Sequence, residues 1–190
     1  MDTEIREVWF QRHGTQEEIH NEGVWAPSAR LTQEGHDLIR RVGKAYYSDV
    51  EFADCRHSNL VRAQETAALL YPSGPWVIEP RLGPTGDWEG VSHTLTVLHE
   101  LYAEAPSLYG NHVRRAYNLI FDILQNLENK QRALLVGNNP LLSILLLAAS
   151  EDANFIQTPW DVLFPKGGLW VLTYRGNMLS KLTQLLPPDP

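Results

Sequence analysis

The chain has 190 residues, 43% hydrophobic and 21% charged, the balance of a globular protein long enough to bury one sizeable core. A formal net charge of −7 argues against a nucleic-acid partner, which needs a basic face, while leaving room for a small basic pocket. The one cysteine, Cys55, has no intrachain disulfide partner, which fits a reducing compartment such as the cytoplasm. The acidic opening Met1-Asp2-Thr3-Glu4 is unlike a secretory signal, and the longest apolar run, residues 141–149, is far shorter than a membrane span. No membrane partner is expected, and the pattern specifies no oligomeric state.

Residues 5–11 read as a strand whose uninterrupted apolar centre, Val8, Trp9 and Phe10, suits coverage on both faces. It ends in Arg12-His13-Gly14-Thr15, where glycine permits a sharp turn. A polar loop follows to about residue 29. Thr32 is placed to cap a helix running to about residue 47, with Leu38, Val42 and Tyr46 at helical spacing. Residues 52–57 form a short second strand. A helix over 60–71 carries Leu60, Ala63, Ala67 and Leu70 on its apolar positions and is stopped by Pro72 and Gly74. A brief strand over 76–78 precedes a loop over 80–90, then a helical stretch over 91–128 broken at Pro106.

The run Ala133-Leu134-Leu135-Val136 is a buried strand ending in Asn138-Asn139-Pro140, and Pro140 suits the first turn of a helix over 141–150. Residues 169–174 and 179–186 are two strands joined by a hairpin-like turn, Arg175-Gly176-Asn177. The alternation predicts an α/β fold with a mostly parallel central sheet, helices on both faces and an antiparallel edge strand or hairpin. No repeat, low-complexity tract or linker divides the chain, so residues 1–190 are expected to form one domain.

In such sheets ligands bind beyond the carboxyl ends of the strands. Three expected strand ends carry polar residues able to converge there: Arg12-His13-Gly14-Thr15, His57-Ser58 and Asn138-Asn139-Pro140. Arg62, in the first turn of the helix after the second strand, lies near the same edge. Two guanidiniums and the N–H groups of helix N-termini suit a phosphate dianion, because arginine binds oxyanions through paired, fixed donors. Positive charge around a histidine disfavours the imidazolium, keeping the ring neutral with a free lone pair, so His13 reads as a nucleophile. Phosphoryl transfer needs chiefly in-line positioning and stabilisation of charge on the equatorial oxygens. The expected intermediate is a phosphohistidine on His13 that water then attacks. No metal or other cofactor is required, and the carboxylates lack zinc or EF-hand spacing.

Arg12-His13-Gly14-Thr15 after an apolar strand resembles the signature of the histidine phosphatase, or phosphoglycerate mutase-like, superfamily. Leu31-Thr32-Gln33-Glu34-Gly35 is similar to its Leu-Thr-x-x-Gly helix opening. Ser58-Asn59-Leu60-Val61-Arg62-Ala63-Gln64-Glu65-Thr66 is similar to its Ser-x-x-x-Arg-Ala-x-x-Thr segment, whose arginine binds phosphate. Mutases and many phosphatases of the superfamily carry Leu-x-Glu in the middle segment, with the glutamate as proton donor. Here Leu82-Gly83-Pro84-Thr85-Gly86-Asp87 instead resembles the Leu-x-Pro-x-Gly-Asp of the SixA-like phosphohistidine phosphatases. Gly137-Asn138-Asn139-Pro140-Leu141 and the ending over 181–187 are also similar to that branch. A protonated imidazole leaves phosphorus readily, so the missing glutamate fits such a substrate.

Asn138 stands where the family has its second histidine, which helps hold the phosphoryl oxygens. Asparagine can donate from its amide but carries no proton or charge, and loss of one such donor typically costs roughly 10²–10³ in rate. The resemblance therefore implies a site of Arg12, Arg62 and Asn138 around His13. Thr15 and Gln16 either donate to the phosphate or close the turn. Asp87 is the first candidate for a proton donor, ahead of Glu89 and Glu79, the alternative being a loop carboxylate in solvent. His57 either borders the pocket or is a structural histidine. Two functions follow: a phosphatase acting on protein phosphohistidine or a small phosphomonoester, or an impaired relative that binds a phosphate-bearing partner and regulates it. A phosphoglycerate mutase is disfavoured by the absent glutamate and by Asn138.

Overall fold

The computed structural model describes residues 4–19, 26–83, 103, 106–139, 141–150 and 165–189. In chain order the elements are β1 (Ile5–Arg12), α1 (Gln33–Tyr46), β2 (Asp54–His57), α2 (Val61–Leu70), β3 (Trp76–Ile78), a 3₁₀ turn (Pro80–Leu82), α3 (Pro106–Asn126), β4 (Arg132–Gly137), α4 (Leu141–Ser150), β5 (Leu169–Arg175) and β6 (Met178–Leu185). The strands form one six-stranded sheet in the order β3-β2-β4-β1-β5-β6. β3, β2, β4 and β1 run parallel, β5 is antiparallel to β1, and β6 returns antiparallel to β5. The expected parallel centre and antiparallel hairpin edge are both present.

The continuous apolar strands are explained by coverage on both faces. Val8 and Phe10 of β1, with Ala133 and Leu135 of β4 and Leu172 of β5, pack against Leu119 and Ile123 of α3 and Leu142 and Leu145 of α4. Their neighbours Trp9, Leu134, Val136 and Val171 turn the other way, onto Ile39 and Val42 of α1 and Ala63 and Ala67 of α2. Successive strand residues point to opposite faces, so a strand sandwiched between helices is apolar at every position. Cys55 is buried in the second cluster, and burial followed by the charge of Asp54 pushes its thiol up to about 12, the state of an inert packing residue.

Some boundaries differ from the sequence reading. β2 begins at Asp54, and Phe52 before it packs edge-on against Trp9 and Tyr71 and tilted against Tyr47, at ring-centroid distances of 5.2, 5.5 and 5.8 Å. α3 starts at Pro106, where the sequence places a break, and a first-turn position needs no amide hydrogen. The hairpin narrows to Gly176-Asn177, with Gly176 at φ +58°, a backbone state glycine adopts without steric cost. Pro140, the loop from residue 84 and the stretch predicted helical over 91–102 lie outside the described residues.

A chain of charges ties the β2 edge to α3. Arg56 contacts Asp54 at 2.6 Å and Glu79 at 3.1 Å, and Arg81 contacts Glu79 at 2.8 Å and also Asp122. Burial pushes the Glu79 carboxyl up, but the hydrogen bonds and charge of Arg81 and Arg56 outweigh it and hold it below its usual range. Removing Glu79 leaves Arg56 to Asp54 and Arg81 to Asp122 but takes away the carboxylate that joins them. Glu79→Ala is expected to destabilise the fold by about 1–2 kcal/mol in urea denaturation. Arg40→Ala, which breaks the exposed Arg40–Asp37 pair, is expected to change it by less than about 1 kcal/mol.

Candidate active site

At the carboxyl end of β1 the backbone of His13 is fixed from two sides. Its N–H donates to the Gly137 carbonyl at the end of β4 (3.1 Å), and its carbonyl accepts from Gly167 N–H (3.1 Å), in the turn that leads into β5. The chain then passes so close to α1 that no side chain fits between them. A Cβ on Gly14 would lie 2.8 Å from the Gly35 carbonyl oxygen, and one on Gly35 would lie 2.0 Å from the Thr15 carbonyl oxygen. Thr32 completes this seat: its Oγ1 accepts from Gly35 N–H at 3.0 Å, capping α1, and its own N–H donates to the Thr15 carbonyl at 3.0 Å. The α2 side contributes Thr66, whose Oγ1 accepts from Gly14 N–H (3.3 Å) and donates to the Arg62 carbonyl (2.8 Å). Three separated sequence segments therefore meet through their glycines and threonines.

The His13 ring is 3% exposed. Its Nδ1 lies 2.7 Å from the Gly14 carbonyl oxygen, which can only accept, so Nδ1 carries the proton and Nε2 presents its lone pair. Arg62 Nε donates to that Nε2 at 3.3 Å, and Arg62 Nη1 donates to the Ala26 carbonyl at 2.8 Å. Burial, then the charges of Arg62 and Arg12, hold the ring's pKa well below the usual histidine value, against the opposing Gly14 hydrogen bond and with a still smaller contribution from Lys166. Burial brings Arg12 down to about 10. Burial and then the charge of Arg12 bring Arg62 to about 10. Both stay protonated at neutral pH, so the pocket holds the buried Arg62 and the half-buried Arg12 beside a neutral imidazole, a setting suited to an oxyanion.

Asn138 directly follows β4 and is 1% exposed. Its Nδ2 donates to the Asn139 carbonyl at a long 3.4 Å, and its Oδ1 has no hydrogen-bond partner among the described residues. Its carbonyl accepts from Leu142 N–H (2.9 Å), starting α4. Thr15 and Gln16 meet their neighbours through the backbone: the Thr15 carbonyl serves the α1 cap, and Gln16 bridges to Leu31. The His57 ring turns towards β3, 5.9 Å from the Trp76 ring, with Nδ1 at 2.7 Å from the Ser58 carbonyl. Glu79 is committed to Arg56 and Arg81, and its lowered pKa is the wrong direction for a proton donor. Asp87, with Glu89, lies outside the described residues.

Sequence reasoning did not single out Lys166. Because β5 is antiparallel to β1, pairing Gln11 with Leu169, the residues entering β5 reach the same edge as the residues leaving β1. The signal was available in the antiparallel edge strand, which reverses which end of a strand faces the site.

The chain matches the model of the histidine phosphatase superfamily (branch 1) over residues 8–182. No curated protein matches it in sequence. Among solved structures it is similar to YhfR of Bacillus stearothermophilus, at 22% identity over 92% of this chain and 94% of that one with a TM-score of 0.70. It is also similar to a phosphoserine phosphatase of Entamoeba histolytica (15%, 97% and 98%, TM-score 0.68). A third is a candidate phosphohistidine phosphatase, SixA, of Nakamurella multipartitia (13%, 97% and 98%, TM-score 0.65). At these identities the likeness speaks for the fold, and the named activities belong to those proteins.

Two expectations follow from this geometry. Gly35→Ala, which drives a methyl into the Thr15 carbonyl, is expected to cost about 2 kcal/mol or more in thermal or urea unfolding. Gly43→Ala, whose Cβ would meet nothing closer than 3.7 Å, is expected to stabilise α1 by about 0.5–1 kcal/mol. Unfolded, His13 takes up a proton below about pH 6.5, whereas folded it does so only at much lower pH. Its contribution to stability is full above the unfolded value and falls as pH drops below it, by on the order of 1 kcal/mol per pH unit. Urea midpoints measured from pH 7 to 5 should therefore fall less steeply in His13→Gln than in the parent, by about one proton.

Proposed function

The chain belongs to the histidine phosphatase superfamily, and from that premise we propose that it is a phosphatase working through a phosphohistidine on Nε2 of His13. The observation that carries the reading is the Nδ1 hydrogen bond to the Gly14 carbonyl, which turns the Nε2 lone pair towards Arg62. Arg12 and Arg62 grip the phosphoryl oxygens, and the long Arg62–Nε2 contact gives way as phosphorus takes its place. Nε2 forms a bond to phosphorus while the bond to the leaving group breaks. Water then attacks the phosphohistidine, releasing phosphate and restoring His13. The guanidiniums supply the positive charge that a metal would otherwise bring.

The substrate is a protein phosphohistidine or a small phosphomonoester. The SixA-like segment Leu82-Gly83-Pro84-Thr85-Gly86-Asp87 favours the first, since a phosphorylated imidazole needs little help to leave. Asp87 is the proton donor this reading assigns where the leaving group is an alkoxide. The work is done by one domain over residues 1–190 in a reducing, cytoplasmic setting. Asn138 takes the place of the second histidine, with a donor but no charge. That buried amide, with its open Oδ1, is also what favours the second reading, a slow or silent relative that binds a phosphorylated partner.

The two readings separate in one experiment with an aryl phosphate and a phosphohistidine peptide. Turnover by the parent, abolished in His13→Ala, together with an acid-labile phosphoryl label on the parent alone, establishes the phosphatase. Asn138→His is expected to raise the rate by roughly 10²-fold. Equal, slow phosphate release by the parent and His13→Ala, with phosphate binding intact in both, sinks the enzymatic reading and leaves the binding one.

A further inference from the structure

Asn138 flanks His13 from the β4 side, and the opposite flank is formed by a turn that the proposed chemistry leaves unused. Residues 165–168 close on themselves through Gly168 N–H to the Pro165 carbonyl at 2.7 Å, with Gly167 at φ +71°. The turn is fastened to the site's own backbone. Gly167 N–H donates to the His13 carbonyl (3.1 Å), Arg12 N–H donates to the Gly168 carbonyl (2.9 Å), and Gln11 Nε2 donates to that same carbonyl (3.1 Å). Packing fixes it further, since a Cβ on Gly167 would already touch Leu38 of α1 at 3.1 Å. Lys166 therefore sits one residue from a hydrogen bond to His13, on a backbone held at both ends.

Lys166 is exposed, and among the described residues no carboxylate forms an ion pair with it. Its charge joins those of Arg62 and Arg12 in opposing protonation of His13. An ammonium on a flexible four-carbon stem acts as a movable point charge and needs no fixed fork to meet an oxyanion. A site with asparagine at its β4 flank has a donor there but no positive charge. We propose that Lys166 is a third cationic arm of the phosphoryl pocket, reaching in from the β5 side and supplying the charge that Asn138 lacks. This inference rests on the phosphate-site reading above and extends it to a residue on another strand.

The test is binding of inorganic phosphate and of orthovanadate to the full chain by calorimetry, at low and high salt. Lys166→Ala is expected to weaken binding by roughly tenfold at low salt, with a smaller loss at high salt because an exposed charge is screened. Lys166→Arg should restore most of the affinity, and Asn138→His should restore it in the Lys166→Ala background. If Lys166→Ala binds like the parent while Arg62→Ala does not, Lys166 is a solvated surface charge and the pocket stands without it. Failure of Lys166→Arg to rescue a weakened Lys166→Ala assigns the loss to the turn and overturns the proposal. Should Arg62→Ala and Lys166→Ala both bind like the parent, the phosphate site itself is wrong and this inference falls with it.

Discussion

Gly14 and Gly35 bring the turn after β1 and the first turn of α1 into direct backbone contact, and the rest of the site hangs from that approach. The Gly14 carbonyl fixes the His13 tautomer, the Gly14 N–H donates to Thr66 Oγ1 of α2, and the Thr15 carbonyl accepts from the N–H of Thr32, the cap of α1. A side chain at either glycine would push α1 outward and loosen all three at once. The sheet supplies the other anchors, since neighbouring β4 holds the His13 amide and the approach to β5 holds its carbonyl.

On this frame the protein concentrates positive charge against its own average. The formal net charge is −7, yet Arg12, Arg62 and Lys166 all act on one neutral imidazole. Among the described residues, Asp54, Glu79 and Asp122 belong to the network of Arg56 and Arg81, and Glu65 is bound by Arg30. A histidine between cations stays unprotonated because adding a like charge to a buried site is costly. The same surroundings attract a group that is negative.

Much of this was legible in the sequence, for local reasons. Unbroken apolar runs in β1 and β4 specify strands covered on both faces, with Arg12-His13 before Gly14 where β1 ends and Arg62 in the first turn of α2. What escaped was governed by contacts between distant residues. Glu79 looked available as an acid until its partners Arg56 and Arg81, and beyond them Asp122 on α3, were brought beside it. Phe52 read as strand because nothing local reveals the ring cluster that captures it. Lys166 escaped because its place depends on the direction of β5, which reverses the usual rule that strand exits face the ligand.

The buried Arg62 and the half-buried Arg12 also bear on stability. Burial lowers Arg12 to about 10, and burial with the charge of Arg12 lowers Arg62 to about 10, a cost to the folded chain that the unfolded chain does not share. On the phosphate-site reading proposed above, an anion held between them would offset that cost in the folded form, linking folding to anion concentration. At a hundred times its dissociation constant such an anion adds about 2.7 kcal/mol to stability, a sizeable part of the few kcal/mol that keep a domain folded. On the proposed reading, the melting temperature is a property of the protein and its buffer together, with phosphate as one of the interactions that hold the fold.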